Sequence, residues 1–185
     1  MSQTTVVSTK TISDATTATC NPYQTPAITN GGFDSSNTAI DPWTTLAVAP
    51  PYYPGTYSVD ASTDGGSAPN IFHAHLQYVD VFGDAWSLIV LDQILTVCEG
   101  GTYSLTFNYK YGQAGDVGAY LGINIDGVDI VVYGPDGPTD WTASTPITFT
   151  ASGSTAELKV SLIHGNGGYT GDVDLYIDSF KVGPV

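Results

Sequence analysis

Short runs of β-branched and aromatic residues, separated by Gly, Pro, Asn and Asp, occupy most of the chain after residue 55. In the run Tyr103–Tyr111, large apolar or aromatic residues alternate with Ser, Thr, Asn and Lys. Such alternation is typical of a strand with one buried and one exposed face. Nine runs are predicted to be strands: Thr56–Ala61, Ile71–Val81, Trp86–Val97, Tyr103–Tyr111, Tyr120–Ile125, Val128–Tyr133, Ile147–Ala151, Ala156–Ile163 and Val173–Val182.

The segments between these runs carry turn residues. Asp126 and Gly127 separate two runs, and both tolerate the positive φ that a two-residue hairpin turn requires. We predict a second turn at residues 151–155, joining two antiparallel strands, and a flexible loop at residues 165–171. Because no run shows a helical period, the sequence predicts an all-β antiparallel sandwich.

The composition predicts a hydrophobic core and a strong negative charge. The 185 residues suit one domain, and 42% of them are hydrophobic while 12% are charged. The formal net charge of −14 repels phosphate backbones and anionic lipid, so we expect no nucleic-acid partner. No apolar stretch approaches the ~18 residues of a membrane-spanning helix, and we therefore expect no membrane insertion.

The N-terminal segment, the overall composition and the two cysteines indicate how the chain is organised and where it acts. Residues 1–19 are rich in threonine without apolar periodicity, which predicts a flexible arm or linker before a domain at residues 20–185. Low charge with abundant Ser, Thr, Gly and Tyr favours a secreted, extracellular or cell-wall protein.

Cys20 and Cys98 lack the spacing of a zinc or redox motif and are predicted to form one disulfide, the alternative being two free thiols.

Several short motifs together resemble a known family. They are residues 30–34 (NGGFD), Pro42-Trp43, residues 98–107 (CEGGTYSLTF), Trp141 and residues 174–182 (DLYIDSFKV). They are similar to the jelly-roll carbohydrate-binding modules of the cellulose- and xylan-binding group, especially the forms in fungal secreted proteins. Across residues 30–182, the resemblance implies two packed sheets, one concave and one convex. It also implies a structural calcium ion where the first and last strands meet, and in some members a glycan in the groove or at loop tips.

The resemblance places acidic calcium ligands at Asp34 and Asp178. Calcium takes several carboxylate and carbonyl oxygens at about 2.3–2.6 Å. Asp60 or carbonyl groups around Ser58 could complete the shell. The alternative is that Asp34 caps a turn and Asp178 lies at a strand edge.

Binding a sugar ring requires an exposed aromatic plane. Tyr52 and Tyr53 lie in a loop with three prolines, which predicts a rigid, exposed turn and makes them the first stacking candidates. Trp86, at the start of a strand, is the next candidate, whereas Trp43 and Trp141 are interpreted as structural. The alternative is that the candidate aromatics only cover the ends of the sandwich.

His73 and His75 lie two residues apart and therefore on one face of a predicted strand. Such a pair binds a transition metal if a third ligand approaches, and His164 is the only other histidine. Without a neighbouring acid in the sequence, we interpret the pair as part of a polar sheet face. Together with Asn108 and Lys110 it could line a ligand groove, depending on the strand order.

No catalytic motif supports an enzyme. The chain has neither a nucleophile elbow nor a phosphate loop nor a zinc-protease motif, and its two glutamates, Glu99 and Glu157, both lie next to turns. We therefore expect a non-catalytic, monomeric module that binds a neutral polysaccharide, with a structural calcium ion. The alternative is a cell-surface adhesin or coat protein that uses the same sandwich without a glycan ligand.

Overall fold

The chain folds into two packed β-sheets. The computed structural model describes residues 20–21, 26, 28–62, 69–78, 86–165 and 169–185, and no helix occurs among them. Within these ranges, no segment forms a helix long and apolar enough to cross a membrane. The strands of this part of the chain are β1 (Thr44–Thr45), β2 (Tyr52–Pro54), β3 (Thr56–Ala61), β4 (Asn70–Leu76), β5 (Trp86–Thr96), β6 (Thr102–Tyr111), β7 (Ala119–Ile125), β8 (Val128–Tyr133), β9 (Thr142–Ala143), β10 (Ile147–Thr150), β11 (Thr155–His164) and β12 (Val173–Pro184).

The strands divide into two six-stranded sheets. Sheet A has the order β1-β5-β11-β7-β8, with β2 also paired to β5, and sheet B has the order β10-β6-β12-β4-β3, with β9 also paired to β6. The ladders are antiparallel except for β2 and β5, which run parallel. One hydrophobic cluster joins residues of both sheets. The predicted all-β antiparallel jelly-roll sandwich is therefore confirmed.

The predicted strands match the observed ones closely. All nine are present, and eight of them agree within two residues at each end. The predicted strand Ile71–Val81 instead ends at Leu76, and its last residues, 79–81, lie outside the described residues. Strands β1, β2 and β9 are only two or three residues long, too short for alternation to predict. The predicted arm at residues 1–19 also lies outside the described residues.

Alternation along the strands explains the core. On β6, the side chains at alternate positions from Tyr103 to Tyr111 are at most 8% exposed, as predicted. Burying a large apolar side chain stabilises a fold by about 1.5–3 kcal/mol. A cluster of aromatic rings with centroids 4.9–6.4 Å apart fills one region of this core: Phe33, Trp43, Phe72, Phe107 and Phe180.

The turn at residues 30–34 joins the last strand at this cluster. Asn30 and Phe33 adopt positive φ angles of 54° and 56°, which directs the Phe33 ring inward. The Trp43 indole N–H donates a hydrogen bond to the Asn30 carbonyl at 3.1 Å, and Trp43 is 1% exposed. The prediction that Trp43 is a structural residue is therefore confirmed. The Phe180 N–H donates to the Gly31 carbonyl at 2.8 Å. This turn is therefore fixed to β12.

The predicted connections are partly confirmed. Cys20 and Cys98 form the predicted disulfide. Asp126 and Gly127 form the predicted hairpin turn between β7 and β8, with φ angles of 52° and 80°. The turn at residues 151–155 does not join paired strands, because β10 pairs in sheet B while β11 pairs in sheet A. Turn residues specify a change of direction but not the sheet that the next strand enters, which is why this prediction was wrong.

Strand β8 forms an open edge of sheet A. Three of its side chains, Val128, Ile130 and Val132, are 39–60% exposed. A register shift between Ile123 and Asn124 interrupts its ladder with β7. Bulges of this kind twist an edge strand and make it a poorer template for pairing.

Candidate functional site

Four side chains form a line across the outer face of sheet B, which we call the cross-strand row. Lys110 of β6 pairs with Tyr176 of β12, and Tyr176 pairs with His73 of β4. Trp141 immediately precedes β9, whose Thr142 pairs with Tyr109. The cross-strand row therefore runs through adjacent strands in the order Trp141, Lys110, Tyr176, His73.

The members of the cross-strand row contact one another. The Lys110 ammonium lies 5.3 Å from the Trp141 ring centroid and 4.8 Å from the Tyr176 ring centroid. The Tyr176 and His73 rings are stacked, with centroids 4.5 Å apart and planes inclined by 21°. Cation–π and ring-stacking contacts of this kind each contribute about 0.5–1.5 kcal/mol. The contacts hold partly exposed rings in fixed positions on an otherwise polar surface.

Beside the cross-strand row, two imidazoles and three carboxylates form what we call the imidazole–carboxylate cluster: His73, His75, Asp60, Asp172 and Asp174. His73 Nδ1 is 2.8 Å from Asp60 Oδ2, and His73 Nε2 is 2.9 Å from Asp174 Oδ1. His75 Nδ1 is 2.9 Å from the same Asp174 oxygen, and its Nε2 is 3.4 Å from Asp172 Oδ2. A neutral imidazole donates from only one ring nitrogen, so all four contacts are hydrogen bonds only when both rings are protonated.

The cluster changes the interpretation of the histidine pair. No acid adjoins His73 or His75 in sequence, but β3 supplies Asp60 and the start of β12 supplies Asp174. His164 is no third partner, because it lies on β11 in sheet A with 2% exposure. The pair lies on a polar sheet face, as interpreted from the sequence, and strand pairing adds acids from distant positions to that face.

Ion pairing shifts the pKa of two groups in this cluster. The hydrogen bond to Asp174 raises the pKa of His75, partial desolvation opposes the shift, and the charges of Asp174 and Asp172 add to it. Partial burial would by itself raise the pKa of Asp174, but hydrogen bonds from His73 and His75 outweigh it and lower that pKa. The charged forms of His75 and Asp174 therefore stabilise each other.

Asn108 and Lys110 share the outer face of sheet B with the two histidines. Asn108 pairs with Asp178 of β12 and with Ala143 of β9. Strand β12 lies between β6 and β4, and Tyr176 fills the gap between Lys110 and His73. Strand order thus brings Asn108, Lys110, His73 and His75 to one surface.

Tyr52 and Tyr53 lie elsewhere, at the side of the sandwich where the chain passes from sheet A to sheet B. They are 40% and 42% exposed, so their predicted exposure is confirmed. They belong to β2 in sheet A, and Gly55 connects β2 directly to β3 in sheet B.

Close to this crossing is a cleft of about 450 Å³, lined mainly by apolar groups: Thr45, Leu46, Ala47, Val48, Pro54, Gly55, Tyr57, Leu88, Ile89 and Val90.

Trp86 lies on the opposite side of the sandwich from the histidines. Its ring packs closely over Gly165, with the Tyr120 ring centroid 6.5 Å away, on the outer face of sheet A. The outer faces of the two sheets point in opposite directions. The predicted ligand-binding residues therefore fall into separate places, with His73, His75 and Asn108 on sheet B, Tyr52 and Tyr53 at the side, and Trp86 on sheet A.

The predicted calcium ligands lie near the junction of the first turn and the last strand. Asp34 Oδ1 accepts a hydrogen bond from the Asn70 N–H at 3.0 Å. Asp178 is 0% exposed and accepts from the Ser179 N–H at 2.6 Å and from the Ser179 hydroxyl at 3.0 Å. Across the described ranges, no three His, Cys, Asp or Glu side chains are already grouped so as to hold a metal ion.

Two members of this surface were not predicted from the sequence, and a third has a different role from the predicted one. Tyr176 and Asp174 alternate with core residues on β12, which is the available signal, but their partners depend on strand order. Trp141, interpreted as structural, lies half-buried at the β9 end of the cross-strand row and outside the hydrophobic cluster. Sequence spacing alone could not show that Trp141 and His73 belong to one line.

The two packed antiparallel sheets define a jelly-roll β-sandwich with a polar outer face on sheet B. No family model and no curated protein matches the chain. Among solved structures, it is similar to arabinose-bound MgGH51 α-L-arabinofuranosidase, with a TM-score of 0.59, 12% identity, and coverage of 86% of this chain and 26% of that one. The chain therefore spans about a quarter of that enzyme.

Two smaller structures match over nearly their whole length. One is TmCBM61 in complex with β-1,4-galactotriose, with a TM-score of 0.54, 16% identity, and coverage of 84% of this chain and 96% of that one. The other is a CBM4 structure, with a TM-score of 0.51, 19% identity, and coverage of 86% and 100%. At these identities, the likeness shows a shared fold.

Proposed function

We propose that this chain is a non-catalytic carbohydrate-binding module that binds a neutral polysaccharide on the outer face of sheet B. The fold supports this proposal, since TmCBM61 was solved with a bound galactotriose and matches the chain over 96% of its own length. Fold alone does not determine function, so the proposal depends on the surface of this chain.

The cross-strand row is the observation that carries the proposal. A sugar ring has apolar C–H faces and a rim of hydroxyl groups, so its binding site combines aromatic rings with hydrogen-bonding groups. Trp141 and Tyr176 supply the rings, and Lys110, Asn108 and the imidazole–carboxylate cluster supply the hydrogen-bonding groups. Contacts between neighbours fix the rings before a ligand arrives, which reduces the entropy that binding loses.

Charge favours a neutral ligand. The net charge of −14 repels an acidic polysaccharide, and three carboxylates lie in the imidazole–carboxylate cluster itself. We therefore favour neutral β-glucans, xylans or chitin as ligands.

The positions of the glutamates support a binding role without catalysis. Glu99 lies in the turn after β5, and Glu157 lies on β11, where it accepts a hydrogen bond from Lys159 Nζ at 2.7 Å. Glycoside hydrolysis usually needs two carboxylates on opposite sides of one bond, about 5–9.5 Å apart. Neither glutamate lies on the sheet-B face, and the three aspartates there are paired with His73 and His75, so we propose binding without hydrolysis.

The disulfide supports an extracellular location. Disulfides persist in oxidising compartments and are rare in reducing ones. We propose that the protein is secreted, as in the fungal forms that its motifs resemble, and acts at a cell wall or on an extracellular polysaccharide.

We also propose a structural calcium ion at Asp34 and Asp178. The Phe180–Gly31 hydrogen bond brings the turn that contains Asp34 to the strand that contains Asp178. A carboxylate buried like that of Asp178 is costly unless it is hydrogen-bonded or bound to a cation. With only two acidic side chains in this proposal, backbone carbonyl oxygens would provide the remaining ligands. The ion would supply rigidity at the junction.

The glycan proposal is tested with a double variant, Trp141→Ala with Tyr176→Ala. We expect isothermal titration with soluble β-glucan, xylan and chitin oligosaccharides to show binding of one of them by the wild-type protein. The double variant should lose at least about tenfold in affinity, which corresponds to about 1.4 kcal/mol. Both rings lie outside the core, so circular dichroism should show an unchanged fold.

The matched control is the double variant Tyr52→Ala with Tyr53→Ala, which removes two exposed rings at the side of the sandwich. Unchanged affinity in this control supports the sheet-B face. Loss in the control alone would move the site to the side cleft. Binding of no glycan by the wild-type protein would contradict the proposal and favour the surface adhesin.

The calcium proposal is tested by thermal unfolding with calcium and with a chelator, because any ligand of the native state raises the midpoint. We expect calcium to raise the midpoint of the wild-type protein and to leave that of Asp34→Asn unchanged. An equal response in both proteins would contradict the assignment.

A further inference from the structure

His73 and His75 meet a common carboxylate oxygen on the neighbouring strand. Residues two apart on β4 point to one face, and the ladder places Asp174 of β12 directly opposite His75. His73 Nε2 and His75 Nδ1 are each 2.9 Å from Asp174 Oδ1. Two imidazole nitrogens and one carboxylate oxygen therefore converge from two adjacent strands.

The other nitrogen of each ring faces a further carboxylate. His73 Nδ1 lies 2.8 Å from Asp60 Oδ2, and His75 Nε2 lies 3.4 Å from Asp172 Oδ2. Histidines that bind metals usually donate their remote N–H to a carboxylate or carbonyl, which fixes the ring and makes it a better ligand. In this cluster both histidines have such an outer partner, and each outer partner is a different aspartate.

From this arrangement we propose that His73 Nε2, His75 Nδ1 and the Asp174 carboxylate bind a divalent transition-metal ion of the zinc class, with Asp60 and Asp172 orienting the two rings. The site is separate from the calcium proposal at Asp34 and Asp178. It does not depend on glycan binding, because the ion itself is the ligand.

For the two donor pairs that Asp174 Oδ1 forms with the imidazoles, binding an ion needs only a small change in separation. In the structure the three donors are joined by hydrogen bonds and are not yet spread around a central point, consistent with the lack of a preformed metal group in the described residues. Two donors about 2.0–2.1 Å from a tetrahedral zinc ion are about 3.3 Å apart, a few tenths of an ångström more than the present 2.9 Å. The ion replaces the protons on His73 Nε2 and His75 Nδ1, which are released to solvent.

The donor set and its exposure select the metal class. Imidazole nitrogens favour zinc, copper and nickel, whereas calcium and magnesium prefer oxygen. The side chains of His75 and Asp174 are 38% and 28% exposed, so an ion can enter from solvent. Three protein ligands leave at least one position for water or another oxygen ligand, as in open zinc sites.

The test is isothermal titration of the full, untagged chain with zinc chloride after treatment with a chelator. We expect one zinc ion per chain at micromolar or lower Kd. His75→Gln should weaken binding at least tenfold, and Asp172→Asn should weaken it about 10- to 100-fold, as changes in outer partners of zinc ligands do. Asp129→Asn, which removes an exposed carboxylate on β8, should leave the affinity unchanged.

A spectroscopic measurement covers the case in which a histidine variant unfolds. Cobalt(II) bound by two imidazoles and a carboxylate with tetrahedral geometry gives strong visible absorption, and zinc should abolish it by competition. Asp172→Asn changes a half-exposed side chain and should fold normally. No binding below millimolar zinc, or equal binding by wild type, His75→Gln and Asp172→Asn, would overturn the proposal and leave the glycan proposal untouched.

Discussion

Gly31 is a single position that fixes the junction of the first turn and the last strand. A Cβ atom added at Gly31 would overlap the Phe180 carbonyl oxygen, which belongs to the rigid backbone of β12. By contrast, a Cβ at Gly183 on the same strand would meet no atom within 4 Å. We expect Gly31→Ala to lower the free energy of unfolding by about 1–3 kcal/mol, because neither the turn nor β12 can move away.

Urea unfolding of Gly31→Ala and Gly183→Ala compares the two sites directly. Gly183→Ala should stay within about 0.5 kcal/mol of wild type. Equal losses in both variants would contradict a close contact between Gly31 and the Phe180 backbone.

Asp92 is a residue whose charge opposes folding. One carboxylate oxygen of Asp92 is buried and has no hydrogen-bond partner within the described part of the chain. Burial raises the pKa of Asp92, the charge of Glu157 raises it further, and Lys159 partly opposes the shift. At neutral pH the folded state therefore holds a carboxylate that the unfolded state solvates better.

We expect Asp92→Asn to stabilise the protein at pH 7 by about 0.5–2 kcal/mol, the range of favourable charge changes. With a raised folded pKa, the penalty is fully present above that pKa and disappears as pH falls below the unfolded value of about 3.9. Denaturant unfolding from pH 7 to pH 3 should therefore show the two proteins converging in acid. A constant difference across this range would contradict the assignment to the Asp92 charge.

At the scale of residues, the sequence indicates which side chains carry hydrogen-bonding or aromatic groups but not which residues they contact. The exposure of Tyr52 and Tyr53 follows from the prolines around them, which is a local property. The acids beside His73 come from β3 and β12, about 13 and 101 positions away. No local pattern contains that information.

At the scale of elements, the β7–β8 hairpin depends on the conformation of its turn. Gly127 has a φ of 80° with open space around it, so an added side chain would be strained without any clash. We expect Gly127→Ala to lower the free energy of unfolding by about 1 kcal/mol, the cost of a left-handed conformation for a residue with a Cβ. Thermal or urea unfolding measures the change.

The control is Gly153→Ala, in the turn between β10 and β11. Gly153 has no positive φ, and an added Cβ would lie 4.0 Å from the nearest atom, the Thr155 carbonyl oxygen, so alanine fits there. Its stability should equal or slightly exceed that of wild type. A comparable loss in both variants would attribute the effect to lost chain flexibility and not to the left-handed turn.

Strands were the most predictable elements, because alternation and turn residues are both local signals. β3 and β8 match their predicted bounds in full. The short strands β1, β2 and β9 form only because longer strands pair with them. Which sheet a strand enters also depends on the whole fold, and for that reason the 151–155 turn was misassigned.

At the scale of the whole molecule, the disulfide connects the start of the described chain to the end of β5. Cys20 and Cys98 are 78 residues apart, and closing such a loop stabilises the fold by about 4 kcal/mol in the chain-entropy model. We expect Cys20→Ser with Cys98→Ser to lower the free energy of unfolding by about 2–4 kcal/mol while the sheets persist. Urea unfolding with circular dichroism measures both.

Reductant provides the control for this experiment. It should destabilise the wild-type protein to the level of the double variant and leave the double variant unchanged. If reductant lowered the free energy of unfolding of the double variant as well, it would be acting on something other than this bond.

The open edge at β8 links the charge of the protein to its colloidal behaviour. At neutral pH the net charge of −14 keeps copies apart, although Val128, Ile130 and Val132 remain exposed there. Near the isoelectric point of about 4.1 that repulsion vanishes while the apolar edge remains, so turbidity should peak in mild acid. Val132→Lys should suppress this precipitation more than Thr96→Lys, which adds the same charge away from the edge. The solution lifetime of the protein would then depend on the acidity of its surroundings more than on its folding stability.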